Sequence, residues 1–71
     1  MKYCIEYRWV DYPMAASEKF LYVEAGYELT KEEADSLVEK LNREDDLRVK
    51  KLKDEGNHYV EYCVYFATEV K

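Results

Sequence analysis

The chain has 71 residues, of which 48% are apolar, and its formal net charge is −5 with a pI near 4.8. With only two Gly and one Pro, the composition is that of one small globular domain covering residues 1–71. The negative charge argues against direct binding to a nucleic-acid backbone and favours a basic partner. The core of so short a chain is small, so we also expect stabilisation by a homodimer or a bound partner.

The first residues, MKYCIEYRWV, alternate polar and apolar side chains and lack the apolar stretch of a secretion signal. No apolar run approaches the roughly 20 residues that span a bilayer, so no membrane association is expected. These features predict a cytoplasmic protein. In that compartment Cys4 and Cys63 are expected to be free thiols rather than a disulfide.

Strict alternation over residues 2–10 predicts a half-buried strand. One face of this strand would carry Tyr3, Ile5, Tyr7 and Trp9. Asp11–Glu18, which contains Pro13, is predicted as a loop, and Lys19–Glu24 as a second strand antiparallel to the first. The alternation favours a core position for Trp9, and the alternative is that Trp9 and Tyr12 form an aromatic anchor for a partner.

The segment LTKEEADSLVEKLNREDD, residues 29–46, predicts the helix of the domain. Thr30 and Glu33 have the spacing of a capping box, and Leu29 and Ala34 occupy the positions of a hydrophobic staple. The apolar positions that follow, which form one helical stripe, are Ala34, Leu37, Val38 and Leu41.

After the helix, Leu47–Lys53 (LRVKKLK) is predicted as a third strand and Asp54–Asn57 as a hairpin turn containing Gly. His58–Thr68, rich in Val, Tyr and Phe, is predicted as the fourth strand. The expected fold class is α+β with the order ββαββ. In this arrangement, a four-stranded, mostly antiparallel sheet carries one helix on one face.

Negative charge is concentrated between residues 24 and 46, which contain nine acidic and three basic residues. The general explanation is a solvated surface that keeps the protein soluble. The more specific hypothesis is a partner-binding patch that imitates the phosphate rows of DNA. The run Glu44–Asp46 favours the second, because acids at the predicted end of the helix oppose the helix dipole. The candidate patch comprises Glu24, Glu28, Glu32, Glu33, Asp35, Glu39, Glu44, Asp45 and Asp46.

Eight tyrosines are a large number for this length. One helix covers only one face of a four-stranded sheet. Tyr suits a surface that is partly exposed to water and partly in contact with a partner. The second sheet face is therefore a candidate aromatic interface, formed by Tyr59, Tyr62 and Tyr65.

No catalytic or metal-binding motif is recognisable, and we expect no cofactor, no bound metal and no catalytic residue. His58 has no partner placed by a motif, and Cys4 and Cys63 lack the Cys-x-x-Cys spacing of redox and zinc sites. The basic run Arg48–Lys53 is best explained by lysines that protect a sheet edge from pairing. Its alternative role, contact with nucleic acid, is opposed by the acids on both sides of the run.

The chain length, the acid-rich helix segment and the Tyr-rich strands resemble the small acidic proteins that bacteriophages make to disable host factors. More narrowly, they resemble the DNA-mimic host-takeover proteins that inhibit the nucleoid protein HU. The resemblance covers the whole chain in character. It implies a non-enzymatic, dimeric inhibitor that covers the DNA-binding surface of a basic host protein. The basic LRVKKLK segment departs from a pure phosphate mimic and could contact an acidic part of the partner.

A second hypothesis is a phage-type antitoxin or anti-nuclease protein that binds its partner through the Tyr-rich sheet face. Such binding would depend little on salt, whereas binding by charge mimicry would weaken steeply as salt rises.

Overall fold

The computed structural model describes residues 1–10 and 18–71 of the chain. The elements are β1 (Lys2–Val10), β2 (Phe20–Leu21), a 3-10 turn (Val23–Ala25), α1 (Lys31–Asp54) and β3 (Tyr62–Val70). The predicted α+β class, with a helix on an antiparallel sheet, is confirmed. The described residues form three strands rather than the predicted four. Most of the predicted loop, including Pro13 and Tyr12, lies outside the described residues.

β1 is the central strand of the sheet, whose order is β2-β1-β3. It pairs antiparallel with β3 over nine positions, from Lys2 opposite Val70 to Val10 opposite Tyr62. β2 adds a short antiparallel pairing on the other side, with Phe20 opposite Tyr7. This uneven pairing makes β1–β3 the stable ribbon of the domain.

The predicted strand Lys19–Glu24 is antiparallel to β1 as expected, but only its first part is a strand. The chain leaves the sheet edge at the Val23–Ala25 turn and reverses at Gly26, where φ is +74°. It returns at Leu29, whose backbone exchanges hydrogen bonds of 2.8 and 3.0 Å with Tyr3. The segment between Leu21 and Leu29 therefore interrupts the edge strand, and α1 begins directly after it.

The predicted capping box at the start of α1 is confirmed. The Glu33 N–H donates to the Thr30 hydroxyl at 3.1 Å, and the Thr30 N–H donates to the Glu33 carboxylate at 3.0 Å. This backbone donor lowers the pKa of Glu33. Leu29 and Ala34, the predicted staple, both belong to the packed core.

The helix does not end at Asp46, and the predicted strand Leu47–Lys53 is wrong because these residues continue α1 to Asp54. Val49 and Leu52 extend the apolar stripe beyond Leu41 at helical spacing. Two residues hid this continuity in the sequence. Asp45 is a polar residue at a buried position of the apolar stripe. Leu47 is 62% exposed, and together with Val49 it gives the alternating apolar pattern that is typical of a strand.

The predicted hairpin turn Asp54–Asn57 is the C-terminal cap of α1. Gly56 has a φ of +98°, and its N–H donates to the Lys53 carbonyl at 3.0 Å. The Asn57 N–H donates to the Leu52 carbonyl at 3.2 Å, which completes a Schellman motif. The last strand consequently begins at Tyr62 instead of His58, and it ends at Val70 instead of Thr68.

The core lies between α1 and one face of the sheet. Ile5 is fully buried against Ala34 and Leu41 of the helix. Tyrosines from β1, from β3 and from the segment after β2 surround this centre, and these are Tyr3, Tyr65 and Tyr22. The core is therefore small and rich in Tyr.

Polar side chains of α1 bind the outer edge of β3, the edge that does not pair with β1. Asn42 accepts from the Tyr65 N–H at 2.8 Å and donates to the Tyr65 carbonyl at 3.1 Å. The buried Asp45 carboxylate accepts from the Cys63 N–H at 2.8 Å and from Arg48, whose guanidinium also donates to the Glu61 carbonyl. The helix thus serves as the hydrogen-bonding neighbour of β3 between residues 61 and 65.

We expect Asp45→Ala to reduce the free energy of unfolding by about 2–4 kcal/mol, because it leaves the Cys63 N–H without its acceptor and Arg48 without its partner. Asp46→Ala removes the same charge from the adjacent, exposed position and should change stability by about 0.5 kcal/mol or less. Urea unfolding followed by circular dichroism measures both. Equal effects of the two substitutions would show that Asp45 contributes only charge.

Candidate functional site

The acids predicted as one patch lie in five different surroundings. Glu32, Asp35, Glu39 and Asp46 are exposed on the side of α1 that faces away from the sheet. Glu24 and Glu44 lie near Tyr22, at the end of the sheet where β2 meets β1. Glu28 pairs with Lys2, Glu33 belongs to the helix cap, and Asp45 is buried.

Three of the exposed acids of α1 form a line along the helix, here called the acidic ridge and defined as Glu32, Glu39 and Asp46. Residues seven apart lie nearly above one another on an α-helix, at a separation of about 10.5 Å. The ridge therefore extends over about 21 Å, and Asp35 lies beside the part of it between Glu32 and Glu39. The helix is continuous through Asp54, so these carboxylates share one rigid support.

Five of the nine predicted acids have a basic partner in the structure. Four of these pairs are solvent-exposed: Lys2–Glu28 and Lys31–Asp35 at 2.9 Å, Arg43–Glu39 at 3.1 Å and Lys40–Glu44 at 4.0 Å. Exposed pairs of this kind are each worth about 0–1 kcal/mol, so a basic partner can displace them at little cost. The fifth pair joins Asp45 to Arg48.

Asp45 is a correction to the predicted patch. Its side chain is only 8% exposed, and its two carboxylate oxygens accept hydrogen bonds from the Arg48 guanidinium and from the Cys63 N–H. The related inference from Glu44–Asp46 also changes, because these residues lie in the middle of α1 and not at its end. The helix dipole therefore no longer opposes them, and it gives no reason to assign them a function.

The charge of α1 changes sign along its length. After Asp46 the helix carries Arg48, Lys50, Lys51 and Lys53. The basic run thus lies on a helix and cannot protect a sheet edge in the way that was predicted. Lys51 and Lys53 instead favourably complement the negative end of the dipole.

The predicted aromatic interface of Tyr59, Tyr62 and Tyr65 is not one face. Tyr59 lies before β3 and is 74% exposed. Tyr62 lies in β3 on the same side as Val64 and Phe66, away from the helix, whereas Tyr65 points to the helix side and packs on the core. The tyrosines of the sheet are therefore concentrated on its helix side, together with Tyr3 and Tyr7.

The sequence did not indicate an aromatic cleft of about 290 Å³ on this surface. Its walls are formed by Tyr7, Trp9, Leu21, Tyr22, Val23, Glu24 and Tyr65. The Tyr65 ring contacts Tyr7 at a centroid distance of 5.5 Å and meets Tyr22 edge-on at 5.8 Å. The alternating aromatics of β1 were a signal for part of the cleft, but nothing in the sequence placed Tyr22 and Glu24 opposite them.

Trp9, predicted as a core residue, is 39% exposed at this cleft. The Arg48 guanidinium lies 5.6 Å from its ring centroid. Trp9 thus separates the aromatic cleft from an adjoining depression lined by Arg48, Asp45 and Glu44.

The electrostatics of the cleft are those of a partly buried, negatively charged site. Burial and then the Glu24 and Glu44 carboxylates raise the pKa of Tyr22. Burial and the Cys63 thiol raise the pKa of Tyr65. Both phenols therefore remain neutral at physiological pH, and both side chains line the cleft.

The other reactive side chains among the described residues are two cysteines and one histidine. Cys4 and Cys63 are free and buried, and burial raises the pKa of each thiol. They cannot form a disulfide with each other, because Cys4 lies opposite Thr68, five residues beyond Cys63. His58 is exposed. Within the described part of the chain, no group of His, Cys, Asp or Glu side chains is arranged to hold a metal ion.

Comparison with protein-family models, with curated proteins and with solved structures finds no match for this chain. None of the helical segments that the structure describes has the length and apolarity that a bilayer crossing requires. A functional assignment therefore has to come from the charge and geometry of these residues.

We expect Glu24→Gln to lower the pKa of Tyr22 toward its ordinary value, because a neighbouring carboxylate disfavours the phenolate. Glu28→Gln removes the same charge at the Lys2 pair and should leave Tyr22 unchanged. Tyrosine ring carbons labelled with ¹³C allow both titrations to be followed by NMR. A Tyr22 pKa that responds equally to the two variants would contradict the placement of Glu24 at the cleft.

Proposed function

We propose that this protein is a non-enzymatic acidic binding protein that acts as a DNA mimic. It would occupy the DNA-binding surface of a basic host nucleic-acid-binding protein such as the nucleoid protein HU. The observation that carries the proposal is the acidic ridge, three exposed carboxylates in line on one continuous helix. The host setting follows from the resemblance to phage host-takeover proteins.

The spacing of the ridge suits this role. Successive nucleotides of one DNA strand advance about 3.4 Å along the duplex axis, so three nucleotides advance about 10 Å. The ridge carboxylates repeat at about 10.5 Å. Both arrays therefore place negative charge at similar axial intervals, although the phosphates also wind around the duplex axis whereas Glu32, Glu39 and Asp46 lie nearly in line.

The energy source is also shared with DNA binding. Basic proteins bind DNA largely through phosphate contacts, and that affinity falls steeply with salt. Carboxylates on a helix attract the same side chains through the same long-range field. The bases that follow Asp46 limit the mimicry to the first two thirds of α1 and suit contact with an acidic part of the partner.

The test is competition between the protein and a fluorescent DNA duplex for purified HU, followed by anisotropy. We expect displacement of the duplex at 50 mM salt and much weaker displacement at 200 mM, as for phosphate contacts. The variant Glu32→Gln/Glu39→Gln/Asp46→Asn should compete about tenfold or more less well, since it removes three contacts worth roughly 0.5–1 kcal/mol each.

The matched control is Asp54→Asn/Glu55→Gln/Glu69→Gln, which removes the same charge from exposed positions outside the ridge. It should compete within about twofold of the unmodified protein. Equal loss in both triple variants would reduce the effect to net charge. Absence of displacement at 50 mM salt would overturn the proposal for HU.

A second candidate function rests on the sheet face turned away from α1. There β3 presents Tyr62, which is 41% exposed, beside the partly exposed Val64, Phe66 and Val70. Lys19 lies over the Phe66 ring, with its Nζ 5.6 Å from the ring centroid, and no described helix or strand packs on this strip. The strip therefore suits a protein interface, either a homodimer or an antitoxin-type or anti-nuclease contact. This candidate differs from the first because apolar burial is nearly insensitive to salt.

Affinity capture from a bacterial lysate at 50 and 200 mM salt separates the two candidates. Binding through this face predicts that the same protein is retained at both salt concentrations and is lost with Tyr62→Asp. The neutralised-ridge variant should retain it. Loss of the captured protein at 200 mM salt would contradict the second candidate and agree with the first.

A further inference from the structure

The aromatic cleft combines the two features that recognise an organic cation. Tyr7, Trp9, Tyr22 and Tyr65 line it with four aromatic rings, whose faces carry partial negative charge. Glu24 is the charged residue among its lining side chains, and Glu44 lies close enough to act on Tyr22. A cation in the cleft would therefore meet aromatic faces and carboxylates. Among the described residues that line the cleft none is basic, and Arg48, which contacts Trp9 from the adjoining depression, is paired with Asp45.

The size and openness of the cleft favour a single side chain over a free metabolite. At about 290 Å³ it lies at the lower limit of the roughly 300–1,000 Å³ that small-molecule sites occupy. Trp9 is 39% exposed, so the cleft is accessible from outside. A side chain that projects from a partner surface can enter it without any rearrangement of the sheet.

The protein itself shows which cation suits this surface. On the neighbouring side of Trp9, Arg48 places its guanidinium 5.6 Å from the ring centroid. The same guanidinium binds the Asp45 carboxylate through two nitrogens, at 2.8 and 3.0 Å. A planar guanidinium can stack on an aromatic face and bind a carboxylate through its fork at the same time, which an ammonium group cannot do equally well.

We propose that the aromatic cleft receives an arginine side chain of the partner, with its guanidinium against the aromatic rings and directed at Glu24. The inference rests on the proposed function in one respect, namely that the partner is a basic protein. It adds a specific anchor to that function. The acidic ridge would attract any basic surface over a distance, whereas the cleft selects a surface that projects an arginine at the right position.

The anchor can be tested without the partner, because Trp9 is the only tryptophan of the chain and reports on the cleft directly. N-acetyl-arginine amide, titrated into the full-length protein, should change Trp9 fluorescence with saturation in the millimolar range. N-acetyl-citrulline amide, its uncharged isostere, should bind at least about tenfold more weakly. Equal responses to the two compounds would overturn the proposal.

Two variants and one further ligand locate the interaction. Glu24→Gln should weaken arginine binding about three- to tenfold, while Glu69→Gln, the same charge change at an exposed position outside both the cleft and the ridge, should leave it unchanged. Unaltered binding by Glu24→Gln would overturn the placement at the cleft. N-acetyl-lysine amide should bind more weakly than the arginine compound, and equal affinity would overturn the preference for guanidinium.

The outcome is distinguishable from that of the competition with HU. If arginine binds the cleft but the protein does not displace DNA, the proposed function fails and the cleft remains. If the protein displaces DNA but arginine does not affect Trp9, the proposed function holds and the cleft anchor fails.

Discussion

The structure depends on the way in which α1 binds the outer edge of β3. Asn42, Asp45 and Arg48 lie one helical turn apart, and they reach backbone groups of residues 61, 63 and 65 at the intervals of an extended strand. Hydrogen bonds between a helix and a strand edge fix the helix in both position and rotation, which apolar contact alone does less strictly. The direction of the acidic ridge follows from that rotation.

Because the core is small, polar contacts are needed to hold α1 against β3. Ile5, Ala34 and Leu41 form its fully packed centre, and tyrosines occupy much of the surrounding space. A core of this size provides limited stability, and directional bonds such as Asp45 to the Cys63 N–H add specificity as well. Trp9, Tyr22 and Tyr65 are partly exposed, and the aromatic cleft lies where the described residues leave part of the sheet uncovered.

The two proposed binding features divide recognition in a physically consistent way. The acidic ridge acts over distance and loses strength as salt screens it. The aromatic cleft acts only on contact, where cation–π and carboxylate interactions are partly protected from water. They lie on different sides of α1, so a partner that uses both must extend around the helix. A DNA-binding protein with a basic surface and projecting arginines has that form.

The sequence alone determined the features that are encoded locally. The capping box of Thr30 and Glu33, the alternation of β1 and the apolar stripe through Leu41 were predicted correctly, because each depends on residues close together in the chain. It failed where a buried polar residue replaced an apolar one. Asp45 interrupted the stripe, and only the Cys63 N–H and Arg48, 18 and three residues away, make its burial favourable. Gly56 was equally ambiguous, because a positive φ serves a hairpin and a helix cap alike. The cleft joins residues from β1, the turn after β2 and β3, so only tertiary packing could decide that it exists.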